Sequence, residues 1–171
     1  MELRMMKSSS KSSATIPRGF PSPRTVKPTA RTFSLIPLPS IPDERGCLSF
    51  VEGGRHVPFD IRRIYYIYGL SAGAARGGHA HLECERVLIP VSGEFVVWLD
   101  DGYQRNRVVL NDPAVGLHVP PMVWLDLTDF QPGSVCLALA SELYSEADYI
   151  RDYRVFQQAT LVGADLVGAE L

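Results

Sequence analysis

The 171-residue chain is 46% apolar and 21% charged with a formal net charge of -2, a composition that suits one domain with a buried core and is short for two. That balance provides no electrostatic footprint for nucleic acid, and no run of about 18 apolar residues offers a membrane span. Cys47, Cys84 and Cys136 are odd in number and irregular in spacing, which points to reduced thiols in a cytoplasmic protein, Cys84 and Cys136 being small core residues.

Residues 1–30 contain six basic side chains (Arg4, Lys7, Lys11, Arg18, Arg24, Lys27) and one acid, Glu2; of 17 basic and 19 acidic residues in all, 11 and 18 remain for the rest of the chain. With "KSSSKSSA" and prolines at 17, 21, 23 and 28, this segment cannot bury enough apolar surface to offset its ordering entropy. It is expected to be a disordered basic leader. Its Ser-rich, acid-poor make-up also fits an organellar transit peptide, although it lacks an amphipathic period.

From Arg31 onward, short runs rich in Val, Ile, Leu, Tyr and Phe alternate with turn residues, the pattern of an all-β fold. In chain order they are "CLSFVEG", "IRRIYYIYGL", "ERVLIPVSGEFVVWLDDG", "NRVVLN", "GLHVPPMVWLDL" and "SVCLALAS". In "RRIYYIY", alternation puts Ile64, Tyr66 and Tyr68 on a core face and Arg63 and Tyr65 on a polar, cavity-facing side. "DDG" at 100–102 is expected to be a tight hairpin turn with Gly102 at positive φ, and "DFQPGS" at 129–134 a second turn. "SEADYIRDYRVFQQ", 145–158, predicts a helix capped by Ser145, with Tyr149, Tyr153 and Phe156 on one face. The expected organisation is a β-sandwich or jelly-roll domain over 31–158 with one short C-terminal helix, followed by a tail at 159–171.

The chemistry-bearing stretch is "RGGHAHLECERVLIPVSG", Arg76–Gly93. On a continuous strand His79, His81, Glu83 and Glu85 share one side. Only four histidines occur in the chain and two are paired here; the other two, His56 and His118, lack polar companions in sequence and are expected to be structural. The apolar "VLIPV" that follows sets this region inside the sheet rather than at a fringe.

The spacing His-x-His-x3-Glu-x7-Gly resembles the first motif of the cupin superfamily, small β-barrels that open into a cavity lined by that strand. In metal-dependent cupins a second motif, Pro-x-Gly-x2-His, adds an imidazole; here "PPMVWL" has Met122 at the glycine position and Leu125 at the histidine position. A leucine cannot ligate a metal, so neither metal nor other cofactor is expected. His79, His81 and Glu85 would still make a two-His, one-carboxylate face, which leaves a metal-dependent cupin oxygenase as an alternative.

More narrowly, "DERGCLSFVEGGRHVPFDIRRIYYIYGLSAGAARGGHAH", "LDDG", "PAVGLHVPP" and "VCLALASELYSEADYIRDY" are similar to the WxcM-like sugar 3,4-ketoisomerases, over about Pro42 to Phe156. The resemblance implies a metal-free cupin barrel that acts on dTDP-4-keto-6-deoxyglucose in deoxy-amino-sugar biosynthesis, as a dimer exchanging N-terminal strands. Moving a ketone from C4 to C3 means removing the C3 proton, passing through an enediol or enediolate, and returning a proton to C4. Imidazole titrates near neutrality and suits each step, so His79 and His81, with Tyr65, are the expected catalytic residues. Arg76, Arg63, Arg45 and Trp124 are the expected substrate contacts, Arg76 and Tyr65 being candidate donors to the enediolate and Trp98 or Trp124 a surface on which thymine could stack. A nucleotide-sugar-binding cupin without catalysis is a further alternative. A 3,5-epimerase would call for a His–Asp relay that the sequence does not display.

Overall fold

The runs dense in β-branched and aromatic residues form strands, as their packing preference on a pleated surface requires. The computed structural model describes residues 32–167, with side chains through residue 160; the basic leader expected at 1–30 lies outside the described residues. The strands are β1 (Ser34–Pro37), β2 (Ser40–Asp43), β3 (Gly46–Ser49), β4 (Arg63–Ile67), β5 (Arg76–His81), β6 (Arg86–Ser92), β7 (Phe95–Asp100), β8 (Arg105–Leu110), β9 (Val115–Val119), β10 (Trp124–Thr128), β11 (Val135–Ala140) and β12 (Tyr149–Ile150), followed by helix α1 (Tyr153–Val167). Two five-stranded sheets result, in the orders β1-β9-β6-β11-β4 and β12-β5-β10-β7-β8, while β2 and β3 pair only with each other. All pairings are antiparallel, and the architecture is the expected cupin-type jelly roll.

The core lies between the two sheets. Leu88 and Ala138 of one meet Phe95, Val97, Leu99 and Leu125 of the other in one buried cluster. Burying a Leu or Phe side chain stabilises by about 2 kcal/mol, against about 0–1 kcal/mol for an exposed ion pair. This layer therefore holds the sheets together, more than pairs such as Arg62–Glu142 at 2.8 Å.

Both expected turns form. Gly102 (φ 91°) closes the β7–β8 hairpin and Gly133 (φ 80°) the turn before β11. In the first, Asp100 Oδ1 accepts from the Gly102 amide at 2.7 Å, and a Cβ at Gly102 would also press into Thr160 of α1.

Four expectations need correction. Ile64, Tyr66 and Tyr68 are not core: they are 59%, 62% and 65% exposed. The alternation is as expected, but Arg63, Tyr65 and Ile67 take the inner side, because β4 is an edge strand whose outer face no described residue covers. Strands β1 and β2 were not expected within "LIPLPSIPD", since proline removes a ladder donor; an edge strand tolerates it, and β1 bonds only to β9. The helix does not begin at Ser145. Glu146–Asp148 make one 3₁₀ turn with no side-chain cap from Ser145, and Tyr149 and Ile150 pair with His81 and Ala80 of β5. Sheet-edge hydrogen bonds thus override the helical spacing, and α1 starts only at Tyr153, capped by Asp152 Oδ1 accepting from the Arg154 amide at 2.7 Å, and runs on to Val167. Finally, "HAHLECE" is not one strand: β5 ends at His81 and β6 begins at Arg86, so the two-residue period does not carry on to Glu83 and Glu85.

Candidate active site

The double glycine before the histidines shapes β5. Gly77 and Gly78 have φ of 92° and 68°, and a Cβ on Gly77 would collide with the Leu125 carbonyl oxygen, so only glycine fits. The β5–β10 register shifts at this point, between Leu125 and Asp126, and such a bulge re-aims the side chains beside it. His79 then stands opposite Leu125, on the core-facing side of its strand. Met122 occupies the expected glycine position with φ 58°, and its amide donates to the His81 carbonyl at 2.7 Å, fastening the β9–β10 connection to β5.

The two imidazoles lie 5.0 Å apart, edge to face. His79 Nδ1 is 3.1 Å from the Gly77 carbonyl oxygen; a carbonyl only accepts, so Nδ1 carries the proton and donates. His79 Nε2 accepts from Arg86 Nη1 at 3.3 Å. His81 Nδ1 lies 2.6 Å from Asp148 Oδ2, and Asp148 Oδ1 accepts from the Glu83 amide at 2.7 Å. An ionised carboxylate accepts only, so His81 also carries its proton on Nδ1. Its Nε2 is left as a bare lone pair, buried and without a hydrogen-bond partner, on a residue 1% exposed.

Burial, then the Arg86 charge, holds His79 at about 4. Burial and Arg86 likewise push His81 below the ordinary histidine range, while the bond to Asp148 opposes them. Both rings are therefore neutral at pH 7, the form in which an imidazole accepts a proton. The consequence for stability has a definite sign. Because the folded pKa of His79 lies below its value of 6.5 in a model peptide, the unfolded chain takes up the proton first, and stability present above pH 6.5 is lost as the pH falls toward 4. The urea midpoint is expected to drop across that window, and to drop less in a His79→Asn variant.

Tyr149 of β12 lies against both imidazoles, its ring centroid 4.8 Å from His79 and 4.3 Å from His81. Tyr65 packs on the inter-sheet core; burial raises its pKa despite the opposing charge of Arg86. The Arg63 guanidinium lies 5.3 Å from the Tyr65 ring and 5.7 Å from that of Tyr144. His79, His81, Tyr65 and Arg63 thus gather on one side of the barrel interior, together with Arg86, Asp148 and Tyr149. Sequence reasoning missed those last three, and with Asp148 it missed a His–Asp pair, His81 Nδ1 to Asp148 Oδ2 at 2.6 Å, that the sequence did not display. Arg86 was legible only as the residue after the cupin glutamate, while Asp148 and Tyr149 come from the segment expected to be helical.

Other expected site residues go elsewhere. Glu85 leaves the histidine pair and bonds His118, Oε2 to Nε2 at 2.7 Å, so the two-His, one-carboxylate face does not assemble and His118 does have a polar companion. His56 also has a polar companion, Glu52, whose amide donates to Nδ1 at 3.0 Å and whose carboxylate lies 3.8 Å from Nε2. Trp124 alternates with Leu125 and so faces away from the core; it packs edge-on to Tyr153 and against Phe156 of α1. Trp98 shares that outer side, under Arg105. Arg45 is exposed in the β2–β3 turn and pairs with Asp43, and Arg76 is exposed at the start of β5. Neither is drawn to the imidazoles within one chain. A ring nitrogen of His81, Cys84 Sγ and an Asp148 oxygen do lie within 4.8 Å of one another, but His81 Nδ1 and both Asp148 oxygens are already engaged.

A jelly roll carrying two neutral imidazoles, one backed by a carboxylate and the other held by a guanidinium, is a cupin equipped to move protons. The family model described as FdtA, WxcM-like, C-terminal, matches residues 31–161, and the chain belongs to that family. It is 42% identical over 124 residues, 72% of this chain and 89% of the relative, to a TDP-4-oxo-6-deoxy-alpha-D-glucose-3,4-oxoisomerase of Aneurinibacillus thermoaerophilus. The crystal structure of QdtA, a sugar 3,4-ketoisomerase from Thermoanaerobacterium thermosaccharolyticum in complex with TDP, is similar at TM-score 0.75 and 39% identity, covering 77% of this chain and 96% of that one. The WlaRB TDP-quinovose 3,4-ketoisomerase of Campylobacter jejuni matches at TM-score 0.72 and 38% identity, covering 75% and 98%.

Proposed function

We propose that this protein is a nucleotide-sugar 3,4-ketoisomerase acting on TDP-4-keto-6-deoxyglucose, shifting the carbonyl from C4 to C3 within deoxy-sugar biosynthesis. The observation that carries the assignment of roles is the unpartnered Nε2 of His81, set on a ring whose other nitrogen is fixed by Asp148 at 2.6 Å. His81 Nε2 takes the C3 proton, and the C3–H electron pair becomes the C3–C4 double bond of an enediolate with its charge on O4. His79, whose Nε2 is held only by the 3.3 Å contact from Arg86, accepts the proton of O3 and passes it to O4. The proton that His81 Nε2 took from C3 then passes to C4, which leaves the ketone at C3 and His81 neutral again, with no net change in protons or electrons. Tyr65 lies near Arg86 and Tyr149, with the Arg63 guanidinium 5.3 Å from its ring. Proton NMR of TDP-4-keto-6-deoxyglucose incubated with the protein in D2O tests the reading: C3 exchange with carbonyl migration is expected, and an unchanged spectrum would sink it.

The acid/base route calls for no metal. Turnover is expected to survive prolonged chelation, and activity lost to a chelator and restored by iron or manganese would replace this reading with an oxygenase-like one.

The same reading includes a homodimer in the cytoplasm. Support for the dimer comes from the β2–β3 hairpin, exposed along its whole length, and from an apolar groove of about 560 Å³ beside it, lined by Phe50, Val51, Ile61, Ile64, Ile89 and Leu137 among others. Exchanged N-terminal strands would cover both that groove and the outer face of β4, and would let Arg45 reach a partner's site. A mass near twice that of the chain is expected in solution at micromolar concentration; a monomer would remove the claim. Among the described residues no helix is long and apolar enough to cross a membrane.

A further inference from the structure

Arg86 is the largest fully buried side chain among the described residues, at 0% exposure. Among the described residues its side chain makes one hydrogen bond, from Nη1 to His79, and Nε and Nη2 are buried with no partner. No carboxylate lies within ion-pair distance of it among the described residues, whereas other arginines are paired, Arg45 with Asp43, Arg62 with Glu142 and Arg151 with Glu146. Glu85, its neighbour in sequence, is turned to His118. A guanidinium cannot shed its proton, and a charge taken out of water without a counter-charge is costly. The groups around it, His79, His81 and Tyr65, are neutral. The site thus holds a permanent buried cation with two unpartnered nitrogens, three N–H donors between them, beside the imidazole pair, where no anion among the described residues meets it.

We infer that Arg86 is a catalytic residue, the donor that takes up the negative charge appearing on the substrate oxygen when C3 loses its proton. This rests on the ketoisomerase reading and assigns to Arg86 the role that the sequence suggested for Arg76 or Tyr65. A carbonyl oxygen in the ground state draws weakly on such a donor and an enediolate oxygen strongly, so the interaction grows along the reaction coordinate, as fixed donors in a water-poor site require. The neighbouring hydrogen bond to His79 places donor and proton shuttle side by side, one stabilising charge on the oxygens while the other moves the proton between them.

The test uses the full chain with Arg86→Met and Arg86→Lys, reading kcat, C3 exchange in D2O, affinity for TDP and Tm. Arg86→Met removes an unpaired buried charge and is expected to keep or raise Tm. It should bind TDP within about 3-fold of the unchanged protein and lose about 10²- to 10³-fold in kcat, with C3 exchange falling in parallel. Arg86→Lys keeps the charge without the fork and should fall between the two. Near-normal kcat in a folded Arg86→Met protein overturns the inference. So does a loss of TDP affinity with kcat intact at saturation, since Arg86 would then be holding the diphosphate. If Arg86→Met does not fold, Arg86→Lys decides: reduced kcat with normal TDP affinity supports the role, and normal kcat overturns it. An unchanged protein that leaves the keto sugar untouched overturns the ketoisomerase reading itself, a result separate from any outcome with the variants.

Discussion

His81→Asn is expected to lower kcat by about 10²- to 10⁴-fold, the usual contribution of a positioned acid/base group, and to abolish deuterium exchange at C3 while TDP binding changes little. Asparagine keeps a polar group on Asp148 but has no titrating nitrogen at the position of Nε2. His79→Asn should cost turnover in the same range with a different signature. If His79 only carries the proton between O3 and O4, C3 still exchanges in D2O but the carbonyl does not migrate. The pair of spectra therefore separates the two rings, a distinction that spacing on a strand could not make. Near-normal isomerisation by both variants would move the chemistry to Tyr65 and its neighbours.

Asp148→Asn is expected to be nearly as damaging, with a loss on the order of 10²- to 10⁴-fold in kcat, as when the carboxylate behind a catalytic imidazole is made an amide. The carboxylate has two acceptors in use, one for His81 Nδ1 and one for the Glu83 amide. An asparagine has a single oxygen. With that oxygen on the Glu83 amide, its NH2 faces Nδ1 and forces the ring proton onto Nε2, where it blocks the base; the counter-charge for the imidazolium is lost as well. Asp148→Glu keeps the charge and should recover part of the activity. A merely structural role predicts otherwise: a lower Tm with kcat unchanged in the fraction that remains folded.

The fold was legible because the strands of the core declare themselves by composition. "ERVLIPV", "EFVVWL" and "VCLALA" admit little but buried β structure, and "DDG" and "QPG" can only turn. Strands β1, β2 and β12 were not legible: three prolines disguise the first two, and β12 exists only because the exposed edge of β5 offers Tyr149 and Ile150 hydrogen bonds that a helix starting at Ser145 would forgo. The inward side of β4 was legible for Arg63 and Tyr65. The fate of its other side was not, since alternation says which residues share a face but not whether anything covers it.

What the sequence determined by itself is local: two histidines on one strand, a leucine where a metal-binding cupin has histidine, and the ordered motifs that mark the family. Those follow from nearest-neighbour geometry and residue chemistry, which a one-dimensional string contains. Tertiary structure alone decided which groups set the state of the histidines. Asp148, 67 positions from His81, reaches Nδ1 because β12 pairs with β5. Arg86 meets His79 because the chain turns between Leu82 and Glu85, and the same turn sends Glu85 to His118 on another strand. Trp124 and Leu125, adjacent in sequence, part to opposite faces of β10. Tautomer, pKa and charge balance depend on distances of a few ångströms between elements remote in the chain, and packing fixes those distances while no spacing in the sequence encodes them.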